Sequence, residues 1–172
     1  MFKPTSFGIA LFALAFGVAI ASVEEEHAQI EAKIEIVQDI AAFKAAHPEL
    51  DVVPLEVSGS ARQQIVYTLG NRLSGSYSRK CNILIFNVGD RLVATSQDGA
   101  SWATLQDVTL NLRYPQAGTG AVVSYVQVVV NQSSNQGRGY VVSGGVGQRY
   151  IQLVIEAYST SYFQYNAQIY GY

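Results

Sequence analysis

Groups that titrate or attack near neutral pH are scarce in this chain. It has one cysteine, Cys81, and two histidines, His27 and His47, in 172 residues. A disulfide-built scaffold is excluded, and the chain is long enough to bury a core without staples. A zinc site fails on ligand supply, because one thiol and two imidazoles twenty residues apart give no usual ligand spacing. Both histidines precede the strand-rich part of the sequence and read as helix-surface residues. A Ser-His-Asp or Cys-His constellation would have to recruit one across a linker. Acids are also sparse past residue 57, where only Asp90, Asp98, Asp107 and Glu156 occur. No loop carries enough of them for calcium. Gly89-Asp90 and Asp98-Gly99 are turn-forming dipeptides, which is a simpler reading than a glycosidase-like carboxylate pair. The expectation is a protein that is not an enzyme and that uses no metal and no other cofactor.

Charge is divided unevenly. Residues 22–57 hold nine acids against Lys33 and Lys44, a net of −7, whereas residues 58–172 carry a net of +4. That basic excess is mostly arginine scattered across turns, not clustered on one face as a phosphate-binding surface requires. Direct binding of nucleic acid is therefore not expected.

Lys3, the small-and-apolar run from Phe7 to Ile20, and Ala19-Ile20-Ala21 form the pattern of a secretory signal peptide over residues 1–21. The run is too short and wrongly flanked for a membrane span. The mature protein is expected to be extracellular, to begin at Ser22 and to meet an oxidising environment. There Cys81 has three readings: a buried thiol, an intermolecular disulfide joining a homodimer, or a reactive nucleophile. Asn131-Gln132-Ser133 is an N-glycosylation acceptor in an expected hairpin loop.

Periodicity divides the rest. Ile30, Ile34, Val37 and Ala41 recur at helical spacing, so Glu24 to Ala46 reads as an amphipathic helix ending before Pro48. Glu31, Glu35 and Asp39 form a like-charge ridge opposite that stripe. Pro54 and Ser58-Gly59-Ser60 read as a linker, which makes 22–60 an acidic helix plus linker. From 61 to 172 the period is two. Val108–Tyr114, Ser124–Val130, Ile151–Glu156 and Phe163–Ile169 alternate cleanly, and further strands are expected at 64–69, 82–86, 91–96 and 139–142. Turn signals fall between them, including Asp98-Gly99 and Gly144-Gly145. The fold class is all-β, an antiparallel β-sandwich of about seven or eight short strands preceded by the helix.

Ser143-Gly144-Gly145-Val146-Gly147 leads into a strand and not a helix, so its glycines suit a turn better than a phosphate cradle. Aromatics are the one surplus. Tyr158, Tyr162 and Tyr165 near the C-terminus, with Trp102, are either the wet edge of a β core or a binding surface.

Gly89-Asp90-Arg91-Leu92, Trp102, Asp107-Val108-Thr109, the Gly144-Gly145-Val146-Gly147 block and the closing Ile169-Tyr170-Gly171 resemble, in order and spacing, the insect multiprotein bridging factor two family. Gly70-Asn71-Arg72-Leu73-Ser74-Gly75 is similar to that family's first glycine-arginine block. The likeness runs from about residue 67 to 171. It implies an arthropod protein, a small all-β domain and no catalytic residues. The family is named for a coactivator that bridges a nuclear receptor and the basal transcription machinery, and many relatives look like secreted proteins. The acidic helix and Cys81 depart from the family pattern. The leading expectation is a secreted, non-enzymatic binding protein whose partner is a protein or an extracellular glycan. The alternatives are transcriptional coactivation, as the family name implies, and a lectin-like glycan-binding module.

Overall fold

Two strands much longer than the sequence pattern suggests organise the molecule. The computed structural model describes residues 29–36, 40–49, 52–61, 64–80, 83–87 and 89–172. In chain order these form β1 (Glu31–Ile36), α1 (Ile40–Ala46), β2 (Val53–Pro54), β3 (Glu56–Ala61), β4 (Gln64–Gly70), β5 (Ser76–Lys80), β6 (Ile83–Asn87), β7 (Arg91–Tyr114), β8 (Val123–Gln132), β9 (Gly137–Gly144) and β10 (Ile151–Gly171). The expected leader, His27 and Cys81 lie outside the described residues.

β7 and β10 pair antiparallel from Ile151↔Tyr114 to Gly171↔Arg91, with register shifts confined mainly to Ala157–Tyr162. At that irregularity the flanking strands change. The Val108–Tyr114 part of β7 and the Ile151–Ala157 part of β10 lie between β1 on one side and β9, then β2, on the other. Beyond it, β10 pairs with β8, followed by β4 and the edge strand β3. One antiparallel sheet is thus continued through two halves by the same pair of strands. The two inner faces share one core, with Leu110, Leu153 and Ile155 from the first half and Val128, Val130 and Phe163 from the second. Contact across them is direct at Gly139 of β9, where an added Cβ would lie 2.8 Å from the ring of Tyr67 on β4. β5 and β6 form a separate two-stranded hairpin.

The irregularity is held by side chains. Ser159 adopts a positive φ of 51°, and its amide donates to the Asp107 carboxylate at 2.7 Å. The Ser161 amide donates to the Ser133 hydroxyl at 2.7 Å.

The antiparallel β class agrees with the sequence reading, and three expectations are corrected. Asp98-Gly99 is no turn. Gly99 pairs with Gln164 inside the β7–β10 ladder, and its missing Cβ makes room for the aliphatic stem of Gln164. Nor does a helix run from 24 to 46: residues 31–36 are strand β1, and among the described residues of that stretch helix is limited to Ile40–Ala46. Glu31-Ala32-Lys33-Ile34-Glu35-Ile36 also alternates strictly, and pairing with Val108–Arg113 settles which period is used. Ala32 and Ile34 pack on the core, while Lys33 and Glu35 pair at 2.5 Å on the other side of this edge strand, where charge discourages further strand addition. The stretch read as a linker likewise contains β3.

Helix α1 covers part of the outer face of the first half. Ile40 packs with Val142 and Val154, flanked by Val52 and Tyr140. The Ile40 amide donates to the buried carboxylate of Glu156, which also accepts the Tyr158 hydroxyl at 2.5 Å. Tyr158→Phe removes one donor from that carboxylate and is expected to lower stability by about 1.5–3 kcal/mol in urea titrations. A loss below roughly 0.5 kcal/mol, the scale of a neutral surface change, would show that Glu156 does not depend on this bond.

Candidate functional site

The motif residues converge on one end of the sheet. The Asp90 side chain is buried, though its backbone is partly exposed, and every neighbour bonded to its carboxylate donates: Arg72 Nε at 2.9 Å, the Leu73 amide at 3.0 Å and Ser124 Oγ at 2.7 Å. Burial alone would push this carboxyl up, but the bonds from Leu73, Ser124 and Arg72, with the arginine's charge, outweigh it and hold the group below the ordinary carboxylate range. The Arg72 guanidinium also lies 3.5 Å from the ring centre of Tyr170, whose ring is 5.9 Å from that of Tyr125. Gly89 directly precedes Asp90, and Gly171 pairs with both Arg91 and Val123. Gly144, Gly145 and Gly147 form the turn between β9 and β10 with φ of 70°, 147° and 82°. At Gly144 a side chain would start 2.2 Å from the Tyr150 carbonyl oxygen, so the turn requires glycine there. The Gly147 amide joins this turn to the Val123 carbonyl at 2.8 Å. The resemblance therefore rests on residues that build the scaffold.

The aromatics chosen from sequence do not share a surface. Trp102 packs against the core, and Tyr165 is buried with its hydroxyl 3.0 Å from Ser96 Oγ. Tyr158 is committed to Glu156, and burial followed by that carboxylate raises its hydroxyl well above the usual tyrosine range. Tyr162 alone of the set points outward in the second half, beside Ser101. Asn131 is a half-buried residue of β8 paired with Gln64 and Gln164, not a loop residue, because β8 runs on to Gln132. His47 lies exposed just past α1, 3.4 Å from Glu49.

A surface that sequence reasoning missed lies on the outer side of the second half. Phe163, Tyr165, Ala167 and Ile169 are buried, so Tyr162, Gln164, Asn166, Gln168 and Tyr170 face the other way. Register aligns these with their neighbours in rows. Gln64, Asn131 and Gln164 form one row, and Val66, Val129, Asn166 and Gln97 the next. Thr68, Gln127, Gln168 and Thr95 follow, and then Gly70, Tyr125, Tyr170 and exposed Leu92. Gln64, Gln97 and Gln164 are exposed and the remaining amides half-buried. Asn166 donates to Gln97 at 3.3 Å, and the Tyr170 hydroxyl to Gln168 at 3.1 Å. None of these side chains is charged, and among the described residues charge reaches the margins with Glu56 on the edge strand β3 and with Arg72 over Tyr170. Only 14% of the chain is charged, against about 25% in ordinary domains, and this face is one place where the deficit falls.

An open cleft of about 510 Å³ lies elsewhere, at the end of β7 and the start of β10, with Arg113, Ser143, Tyr150 and Gln152 on its walls. Among the described residues, no group of three or more His, Cys, Asp or Glu side chains could hold a metal ion. No helix among them is long and apolar enough to cross a membrane.

These features define an antiparallel β protein whose signature residues fasten one end of its sheet and whose broad outer face is polar, with charge only at its margins among the described residues. The family model described as transcription activator MBF2 matches residues 86–171, half of the chain, and the protein belongs to that family. The matched span contains β7 to β10 and Asp90, whereas Arg72 and the strands before β6 lie outside it. No curated protein and no solved structure is significantly similar to the chain.

Proposed function

We propose that this is a secreted, non-enzymatic protein that acts by binding, through the uncharged outer face of β4, β8, β10 and β7. The observation that carries this reading is the face itself. Hydrogen-bonding side chains stand in register on strands whose opposite side is core, so they are held in place before any partner arrives. Such preorganisation lowers the entropy lost on association. The Lys3, Phe7–Ile20 and Ala19-Ile20-Ala21 pattern supports export. The family description favours a second reading, transcriptional coactivation, which would use the same surface for protein contacts inside the nucleus.

Expression of the full chain with a C-terminal tag separates the two readings. Export predicts tagged protein in the medium with Ser22 at its amino terminus. Protein that keeps Met1 and fractionates with nuclei would replace this reading with coactivation.

A further inference from the structure

Resting on the binding reading, we propose that the outer face of β4, β8, β10 and β7 binds a neutral, extended polysaccharide chain. Charge makes the first selection. Among the described residues the one cation at this face is Arg72, over Tyr170 at its end and already paired with Asp90, so the face offers little to nucleic acid or an anionic glycan and few ion pairs to a charged protein surface. Hydrogen-bonding capacity makes the second. Each of Gln64, Gln97, Gln127, Gln164, Asn166 and Gln168 presents both a carbonyl acceptor and an NH₂ donor. Sugar hydroxyls also donate and accept, so a row of amides can satisfy them whichever way each hydroxyl turns. Protein partners, by contrast, seek an apolar core within the contact, and here half-buried Val66 and Val129 stand at the centre while exposed Leu92 lies apart at the Tyr170 end.

Shape makes the third selection. The outward side of β10 from Tyr162 to Tyr170 spans nine residues, eight steps or about 26 Å of strand. That is a bed for a chain and not a socket for a single sugar. Tyr162 offers a half-exposed ring at one end for stacking on the C–H face of a pyranose, and Tyr125 marks the other. Tyr170 has one ring face covered by Arg72 and serves through its hydroxyl.

Native gels cast with soluble neutral polysaccharides (a linear β-1,3-glucan, a β-1,4-linked glucan and a galactomannan, each separately) test this with the secreted full chain. At least one is expected to retard the protein. The retardation should persist in roughly half-molar salt, where charge attraction is screened within a few ångströms. The pair Gln164→Ala and Asn166→Ala should weaken binding about tenfold or more, as the loss of two hydrogen-bonding groups implies. Tyr162→Ala should weaken it as well, and Tyr150→Ala in the distant cleft should not. Trp102 emission confirms that each variant is folded. Absence of retardation by all three, retardation only by an anionic polysaccharide that salt abolishes, or equal retardation of the face variants would each overturn the proposal. If the glycans fail but the same substitutions abolish binding to a purified protein partner, the ligand class falls and the binding reading stands. If neither a glycan nor a partner depends on the face, both fall.

Discussion

Asp90→Asn is expected to destabilise the protein by about 3 kcal/mol at neutral pH, because it breaks a hydrogen-bonded pair whose carboxylate is buried. Asparagine has the shape of aspartate but half its acceptors. Arg72 Nε and the Leu73 amide can only donate, so an NH₂ at either oxygen's place would face an N–H, and only the Ser124 hydroxyl could turn to accept from it. Arg72 is half-exposed and regains water when released, which keeps the expected loss toward the lower end for buried pairs. The pH dependence gives a second reading of the same site. The folded carboxyl lies below its unfolded value, near 3.9. Its contribution is therefore fully present above that value and is lost as pH falls through the folded one. The stability gap between the native protein and the variant, followed by urea titration, should be constant near neutrality and narrow below about pH 4. A gap under roughly 1 kcal/mol, or one that does not change with pH, would mean that Asp90 is not the fastening its geometry indicates.

How far the sequence could be read depends on which interactions are local. Alternation over Val108–Tyr114, Ser124–Val130, Ile151–Glu156 and Phe163–Ile169 reports burial on one side of a strand, and those segments are strands. Alternation does not report where a strand ends. Asp98-Gly99 looks like a turn because glycine usually serves conformation, but here it serves close packing against Gln164. Glu31–Ile36 fits both periods, and only its partner β7 decides between them. Parity matters as much for the aromatics: Tyr162 and Tyr165 are three residues apart and therefore point to opposite sides of β10. The polar face was half-legible. Gln164, Asn166 and Gln168 are visible as the solvent side of one strand, but their alignment with Gln97, Gln127 and Gln64 is a property of register, which no single strand carries. The link from Arg72 to Asp90, 18 residues apart, has the same origin.

Because β7 and β10 run through both halves of the sheet, injury to either half should be felt by the whole. Phe163→Ala in the second half is expected to cost about 3–5 kcal/mol, and Ile155→Ala in the first about 2–5 kcal/mol. Both side chains are fully buried in the one shared core. Against a typical total of about 5–15 kcal/mol, each is a large loss. The sharper expectation concerns cooperativity. Trp102 is the chain's only tryptophan and sits in β7 beside the irregularity, so its emission reports the region where the halves join, while far-UV circular dichroism reports all strands. In urea the two signals should remain superimposed in both variants, since neither half can unpair without stripping hydrogen bonds from strands that the other half uses. Separate transitions in Phe163→Ala, with part of the β signal surviving after Trp102 emission has shifted, would instead mark two independent halves. In that event the uninterrupted strands join the halves in space without coupling their unfolding.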